Sequence, residues 1–178
     1  MVIQALFRRL LGSTIDDLPP VLRAAHDSRI DQRWRGLAQV EANANPLARL
    51  LCLMMRLPAP GTAIPVTVRF ERRGDAEHWH RDFAGRRYRS TLVERDGLMI
   101  ERMGVATNIF RVSVEDGALR LDLIGFRFLG LALPCPLRPH CHAREHEDDG
   151  RYVFDVPVDL WPFGRIIRYT GRMERHDD

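Results

Sequence analysis

The stretch from Val66 to Met103, VTVRFERRGDAEHWHRDFAGRRYRSTLVERDGLMIERM, decides the fold. Apolar and polar residues alternate along it, and Gly74-Asp75, Ala84-Gly85 and Asp96-Gly97 interrupt the alternation. A period of two marks half-buried strands, and Asp-Gly between two such runs is the strongest short-range hairpin signal, because type I′ turns need positive φ at both central residues. Taking each pair as a two-residue turn fixes a register. Phe70 then faces Trp79, Val68 faces Arg81, and Val66 faces Phe83. In the next hairpin Arg81 meets Tyr88 and Trp79 meets Ser90, while Asp82 meets Arg87 on the other face. In the third, Leu92 meets Glu101 and Ser90 meets Met103.

The same reading extends toward the C-terminus. Around Asp116-Gly117, Phe110, Val112 and Val114 face Leu123, Leu121 and Leu119, with Arg111 opposite Asp122. Around Asp149-Gly150, Glu147, Glu145, Ala143 and Cys141 face Tyr152, Phe154, Val156 and Val158, with Arg144 opposite Asp155. Pro162-Phe163-Gly164 is a looser last turn. Apolar residues fall on one face and opposite charges pair on the other, and a one-residue slip would destroy both patterns. A continuous meander of about nine or ten such strands curls or closes. The expected fold is mainly β (α+β), a strongly curved antiparallel sheet or a closed or partly open barrel.

Upstream the period changes. Residues 1–30 read as a helical segment in which MVIQALFRRLLG is amphipathic through Val2, Ile3, Leu6 and Leu10, a pattern also compatible with lying on a membrane surface. Pro19-Pro20 opens a helix in VLRAAHD, where a missing N–H costs nothing. Residues 33–41 form a strand with Gly36 and Ala38 on one face, and Asn45-Pro46 starts an inserted helix over 46–57. Only Arg49 and Arg56 interrupt that helix's apolar surface, so it is expected to plug the core, with a lid carrying Met54 and Met55 as the alternative. The whole chain, 1–178, is expected to be one domain, with the sheet over 33–174.

Composition narrows the function classes. All 27 basic residues are Arg, spread along the chain against 24 acids, without the basic clusters that nucleic-acid binding calls for. The longest apolar run, Leu50 to Met55, is too short to cross a bilayer as a helix. Three cysteines, Cys52, Cys135 and Cys141, suggest no disulfide framework and point to the cytoplasm. No Gly-x-Ser-x-Gly elbow, phosphate-cradling loop or dinucleotide fingerprint is present, and no cofactor is expected.

The register directs Trp79, Arg81, Tyr88, Ser90, Glu101, Glu145 and Tyr169 inward. A charge inside a barrel needs a partner, so Arg81 is expected to meet Glu101 or Glu145. Such an arginine can anchor the carboxylate or phosphate of an amphipathic ligand. Glu101 and Glu145 are an alternative acid–base pair, while Ser90 has no histidine on its own face. His140, His142 and His146 share one side of their strand, but it is the solvated one, and no metal site is assigned.

LPPVLRAAHD at 18–27, W-x-R-x-F at 79–83, Ser90, G-L-x-x-E-R at 97–102, LGLALP at 129–134, FDVPV at 154–158 and Y-x-G at 169–171 resemble the bacterial family called domain of unknown function 4166. The likeness runs from about residue 7 to 173. By position it implies recurring polar and aromatic residues at Trp79, Arg81, Phe83, Ser90, Glu101, Glu145, Asp155 and Tyr169. Phe126 stands where the family pattern has Trp, and Trp161-Pro162-Phe163 where a Leu-Pro-Leu segment is usual. Members of the family occur alone or appended to saccharopine-dehydrogenase-like regions. The resemblance therefore implies an oxidoreductase partner but carries no activity over to this chain. The leading expectation is a non-enzymatic module for a small apolar or amphipathic ligand, ahead of an accessory domain docking on an oxidoreductase and of an enzyme using the two glutamates.

Overall fold

Gly36 and Gly171 sit on the two strands that close the molecule on itself. The structure is a computed structural model describing residues 4–55 and 57–176. Eleven strands form one sheet: β1 (Gln32–Ala42), β2 (Gly61–Arg73), β3 (Ala76–Phe83), β4 (Arg86–Arg95), β5 (Leu98–Met103), β6 (Ala106–Glu115), β7 (Ala118–Phe128), β8 (Leu131–Ala132), β9 (His140–Asp148), β10 (Arg151–Leu160) and β11 (Gly164–Arg175). Strands adjacent in the chain pair around the ring, the two-residue β8 hangs off β7, and β9 takes the other edge of β7. β11 returns antiparallel to β1 and completes a closed ten-stranded barrel.

That seam demands small residues. A Cβ on Gly36 would lie 1.7 Å from the Arg172 carbonyl oxygen, and one on Gly171 would lie 2.4 Å from the Phe154 ring. Ala38 pairs directly with Gly171. The small residues expected on one face of the 33–41 strand are thus the contact surface of the closure.

The hairpin registers are those expected: Phe70 pairs with Trp79, Arg81 with Tyr88, Leu92 with Glu101, Phe110 with Leu123, and Glu145 with Phe154. The β4–β5 ladder ends at Thr91–Arg102, short of the expected Ser90–Met103 pair. Asp96-Gly97, Asp116-Gly117 and Asp149-Gly150 have positive φ at both positions, as type I′ turns require. One hairpin escaped the sequence reading. Gly104-Val105 turns β5 into β6 and sets Asn108 opposite Glu101.

The chain alternates between two ends of the barrel. One end carries the turns at 74–75, 96–97, 116–117 and 149–150, and the N-terminal helices close it. α1 (Leu6–Leu11), a 3-10 turn (Gly12–Asp17) and α2 (Pro20–His26) bury Leu6, Phe7, Ile15, Leu22 and His26 to 2% exposure or less. Arg9 donates to the Asp75 carbonyl, and Arg72 donates to the Ala25 and Ile30 carbonyls at 2.7 Å each, stapling the plug to the rim.

The other end corrects an expectation. The helix between β1 and β2, α3 (Pro46–Met54), is not the core plug. It buries Ala48 and Cys52 only, while Leu47, Leu50, Leu53 and Met54 are 51–64% exposed. Phe7 and His26 plug one end of the interior, and α3 roofs the opposite opening above the space that remains. Met55 lies against the core and Arg56 is outside the described residues.

Because the seam tolerates no Cβ, Gly36→Ala is expected to cost about 3 kcal/mol or more. Urea unfolding followed by circular dichroism measures it; a midpoint equal to the parent's would show that the closing strands do not approach this closely.

Candidate functional site

Between plug and roof lies an elongated cavity of about 360 Å³. Its wall is mostly aliphatic and aromatic, running from Trp79, Glu145 and Tyr152 at the plugged end to Leu51, Met55, Leu133 and Leu137 under the roof. Of the residues expected to face inward, Trp79, Arg81, Tyr88, Glu101, Glu145 and Tyr169 line it. Ser90, 1% exposed, stands behind Arg81 rather than in the wall.

Arg81 is held on all sides. Its Nη1 donates to Ser90 Oγ at 2.8 Å and its Nη2 to Glu101 Oε1 at 3.3 Å. Its guanidinium carbon lies 4.8 Å from the Trp79 ring centre and 5.3 Å from that of Tyr88. Burial works against the charge, but Glu101 together with Tyr88 and Tyr169 more than restores it, so the guanidinium stays protonated. The other Glu101 oxygen accepts from Asn108 Nδ2 at 3.0 Å. Of the two acids considered as partners for Arg81, Glu101 takes the role.

Glu145 belongs to a different cluster. His26, fully buried on α2, places Nε2 2.6 Å from Glu145 Oε2, and Tyr152 lies beside this carboxylate. Each glutamate is therefore engaged by its own partners instead of by the other. A histidine does enter the interior, although none of the strands supplies it.

Three tyrosines line the same space. Burial pushes the Tyr88 hydroxyl up to about 12 and raises Tyr152, beside Glu145, and Tyr169 well above the usual phenol range. All are neutral donors at physiological pH. The Tyr88 and Tyr169 hydroxyls approach each other without closing a well-formed hydrogen bond, and Tyr88 Oη is left buried and unpartnered.

The surface histidines behave as solvated-face residues: His142 Nδ1 lies 2.6 Å from Asp122, and His80 Nε2 2.9 Å from Glu71. Among the described residues no three His, Cys, Asp or Glu side chains converge as a metal site, His140, His142 and His146 included. Asp155 faces outward and accepts a two-point contact from Arg168 at 2.9 and 2.7 Å. All three cysteines are free. Among the described residues no helix is long and apolar enough to cross a membrane.

Sequence reasoning missed His26, Asn108 and the role of Tyr152. Asn108 was recoverable from Gly104, a Gly-first turn signal. His26 ends a short helix whose docking no local pattern fixes.

The architecture is that of a closed antiparallel barrel with one plugged end and an apolar interior carrying a compensated charge. The chain belongs to the family described as domain of unknown function (DUF4166), whose model matches residues 18–173. Among solved structures it is similar to Rv2717c from M. tuberculosis, with 12% identity and a TM-score of 0.49 over 90% of this chain and 99% of that one. No curated protein matches it. Phe126 is part of the cavity wall, and Trp161, at the roofed end, is 66% exposed.

Removing Arg81 strands a buried carboxylate. Arg81→Leu is expected to destabilise by about 3–5 kcal/mol, and adding Glu101→Gln to recover most of that loss. Urea unfolding of both single variants and the double variant measures it, and strictly additive losses would deny the ion pair. The thiols give a second check. Burial pushes Cys141 up to about 12 and also raises Cys52, whereas Cys135 is exposed. Iodoacetamide at neutral pH is expected to label Cys135 alone in the native protein, read by intact mass; labelling of Cys141 would mean an interior open to solvent.

Proposed function

We propose that the barrel binds a small, largely apolar molecule carrying an uncharged hydrogen-bond acceptor. The observation that carries this reading is the Tyr88 hydroxyl, buried without a partner in an apolar cavity wall. Leaving such a group unsatisfied costs about 1–3 kcal/mol, which an oxygen on a bound molecule would recover. The volume of about 360 Å³ lies at the small end of ligand sites, roughly that of a dozen waters.

The local charge favours a neutral ligand. Arg81 is compensated by Glu101 at 3.3 Å, so an incoming carboxylate or phosphate would meet a carboxylate as well as a guanidinium. Tyr88 and Tyr169 are uncharged donors, and Asn108 Nδ2 is already committed to Glu101. A ketone, quinone or ester oxygen suits that set better than an anion, which narrows the carboxylate-gripping role expected of Arg81. Trp79, Phe83 and Phe154 supply flat apolar surface for the rest of the molecule.

Calorimetric titration with 2-acetylnaphthalene, 2-naphthoate and 2-naphthylmethylamine compares one skeleton with a neutral, an anionic and a cationic head. The ketone is expected to bind about tenfold more tightly than either ion, and Tyr88→Phe to reduce its affinity by about as much. Preferential naphthoate binding would return Arg81 to the role of anion anchor. Failure of all three, with no small molecule retained in native mass spectrometry of protein purified from its own host, would retire the binding role.

A further inference from the structure

The two ends of the barrel differ in chemistry. At the plugged end the four hairpin turns contain Asp75, Asp96, Asp116 and Asp149, all exposed. At the α3 end the turns are Ala84-Gly85, Gly104-Val105, Leu129-Gly130 and Trp161-Pro162-Phe163, with no acid among them. Two of the segments that build this end, 42–70 and 123–144, contain no Asp or Glu, and the exposed acids beside its other turns, Asp82 and Asp159, are each paired with an arginine. A closed barrel needs no such separation.

The α3 end also carries most of the large exposed apolar side chains. Leu47, Leu50, Leu53 and Met54 on α3 stand out beside Leu129, Leu131 and Trp161, the last three 66–72% exposed. On α3, Leu47, Leu50, Leu51 and Met54 follow the i, i+3, i+4, i+7 spacing of one helix face, and that face is exposed. Ala48, Cys52 and Met55 form the face packed inward. A helix that only had to roof a barrel would carry polar residues outside. Arginines flank the apolar residues. Arg87 and Arg165 pair with Asp82 and Asp159, whereas Arg49 and Arg127 are exposed with no carboxylate partner among the described residues.

We propose that the α3 end of the barrel docks on an anionic lipid bilayer, inserting α3 and Trp161 while Arg49 and Arg127 meet lipid phosphates. Apolar side chains on separate turns, with unpaired cationic residues among them and the neighbouring acids Asp82 and Asp159 neutralised by Arg87 and Arg165, match an interface of acyl chains beneath negative headgroups. A second copy of the chain fits less well. Two-fold self-association sets a patch against itself, so the unpaired arginines would face their own copies. The cavity wall reaches this surface through Leu51 and Leu137, which are 36% and 49% exposed. Docking requires no ligand in the cavity, so it stands or falls separately from the binding role.

Of the N-terminal amphipathic stretch considered as a membrane contact from sequence, Val2 and Ile3 lie outside the described residues, and Leu6 and Phe7 are buried against the barrel at the opposite end. Ile30, 61% exposed at that end, serves as a control position.

The test is vesicle flotation of the full chain with phosphatidylcholine alone or mixed with phosphatidylglycerol, at low and high salt. Binding is expected to be about tenfold stronger to the mixed vesicles at low salt and to weaken with salt. Tryptophan emission is expected to shift to the blue on binding, because Trp34 and Trp79 are already buried at 1% and 6% exposure and Trp161 alone can change surroundings strongly. The triple variant Leu50→Ser, Leu53→Ser, Trp161→Ser should lose binding about tenfold, Arg49→Gln with Arg127→Gln should lose the anionic preference, and Ile30→Ser should change nothing. No binding to mixed vesicles at low salt would overturn the proposal. So would binding that survives the triple variant, or a dimer on gel filtration that the triple variant dissolves in the absence of any vesicle binding.

Discussion

The pairing of β1 with β11 is the constraint on which the rest depends. The other ladders join strands that follow one another closely in the chain, so tight turns or short connections set them. The closing ladder joins residues more than a hundred positions apart, and its loop-closure entropy is recovered only if the strands meet along their full length. Gly36, Ala38 and Gly171 let them meet. Closure at ten strands then fixes a width beyond the roughly eight-stranded size that side chains readily fill. The remaining space must be plugged or left hollow. This chain does both, with Phe7 and His26 filling one end and the cavity occupying the other.

The polar interior follows from the same geometry. Arg81 sits on the inward face of β3 because β2 and β4 hold their registers, and once inside it must be compensated. Ser90 and Glu101 do this from adjacent strands, Asn108 caps the remaining carboxylate oxygen, and two aromatic rings flank the guanidinium. The second buried acid, Glu145, is satisfied by a helix instead of a strand. The plug is therefore bonded to the barrel through a buried polar contact as well as by packing, which ties the position of α2 to the cavity wall.

How much of this the sequence displayed depended on whether the interaction was local. Hairpin registers follow from two-residue turns and side-chain alternation, so the inward set around Arg81 was legible before any coordinates. Closure was legible only as a tendency of wide sheets, because Gly36 and Gly171 each look ordinary alone. His26 was invisible for a related reason: the last turn of a seven-residue helix has no pattern that names its tertiary partner. Asn108 was lost to an unrecognised turn at Gly104-Val105, a failure of turn chemistry and not of principle.

The misreading of α3 has a different origin. An apolar helix in an otherwise well-patterned sequence is ordinarily buried, since exposing such a surface invites association. The inference fails here because α3 stays at the rim: residues 6–26 plug the other end, and the space beneath α3 is left as the cavity. Its outward leucines therefore do not stabilise the barrel, and the fold alone gives no reason for their being apolar. The same holds for Trp161, Leu129 and Leu131, which sit on different turns and share only the end of the molecule at which they emerge. Side chains that contribute nothing to closure, plug or cavity, yet agree in chemistry across several unconnected segments, answer to a requirement outside the fold.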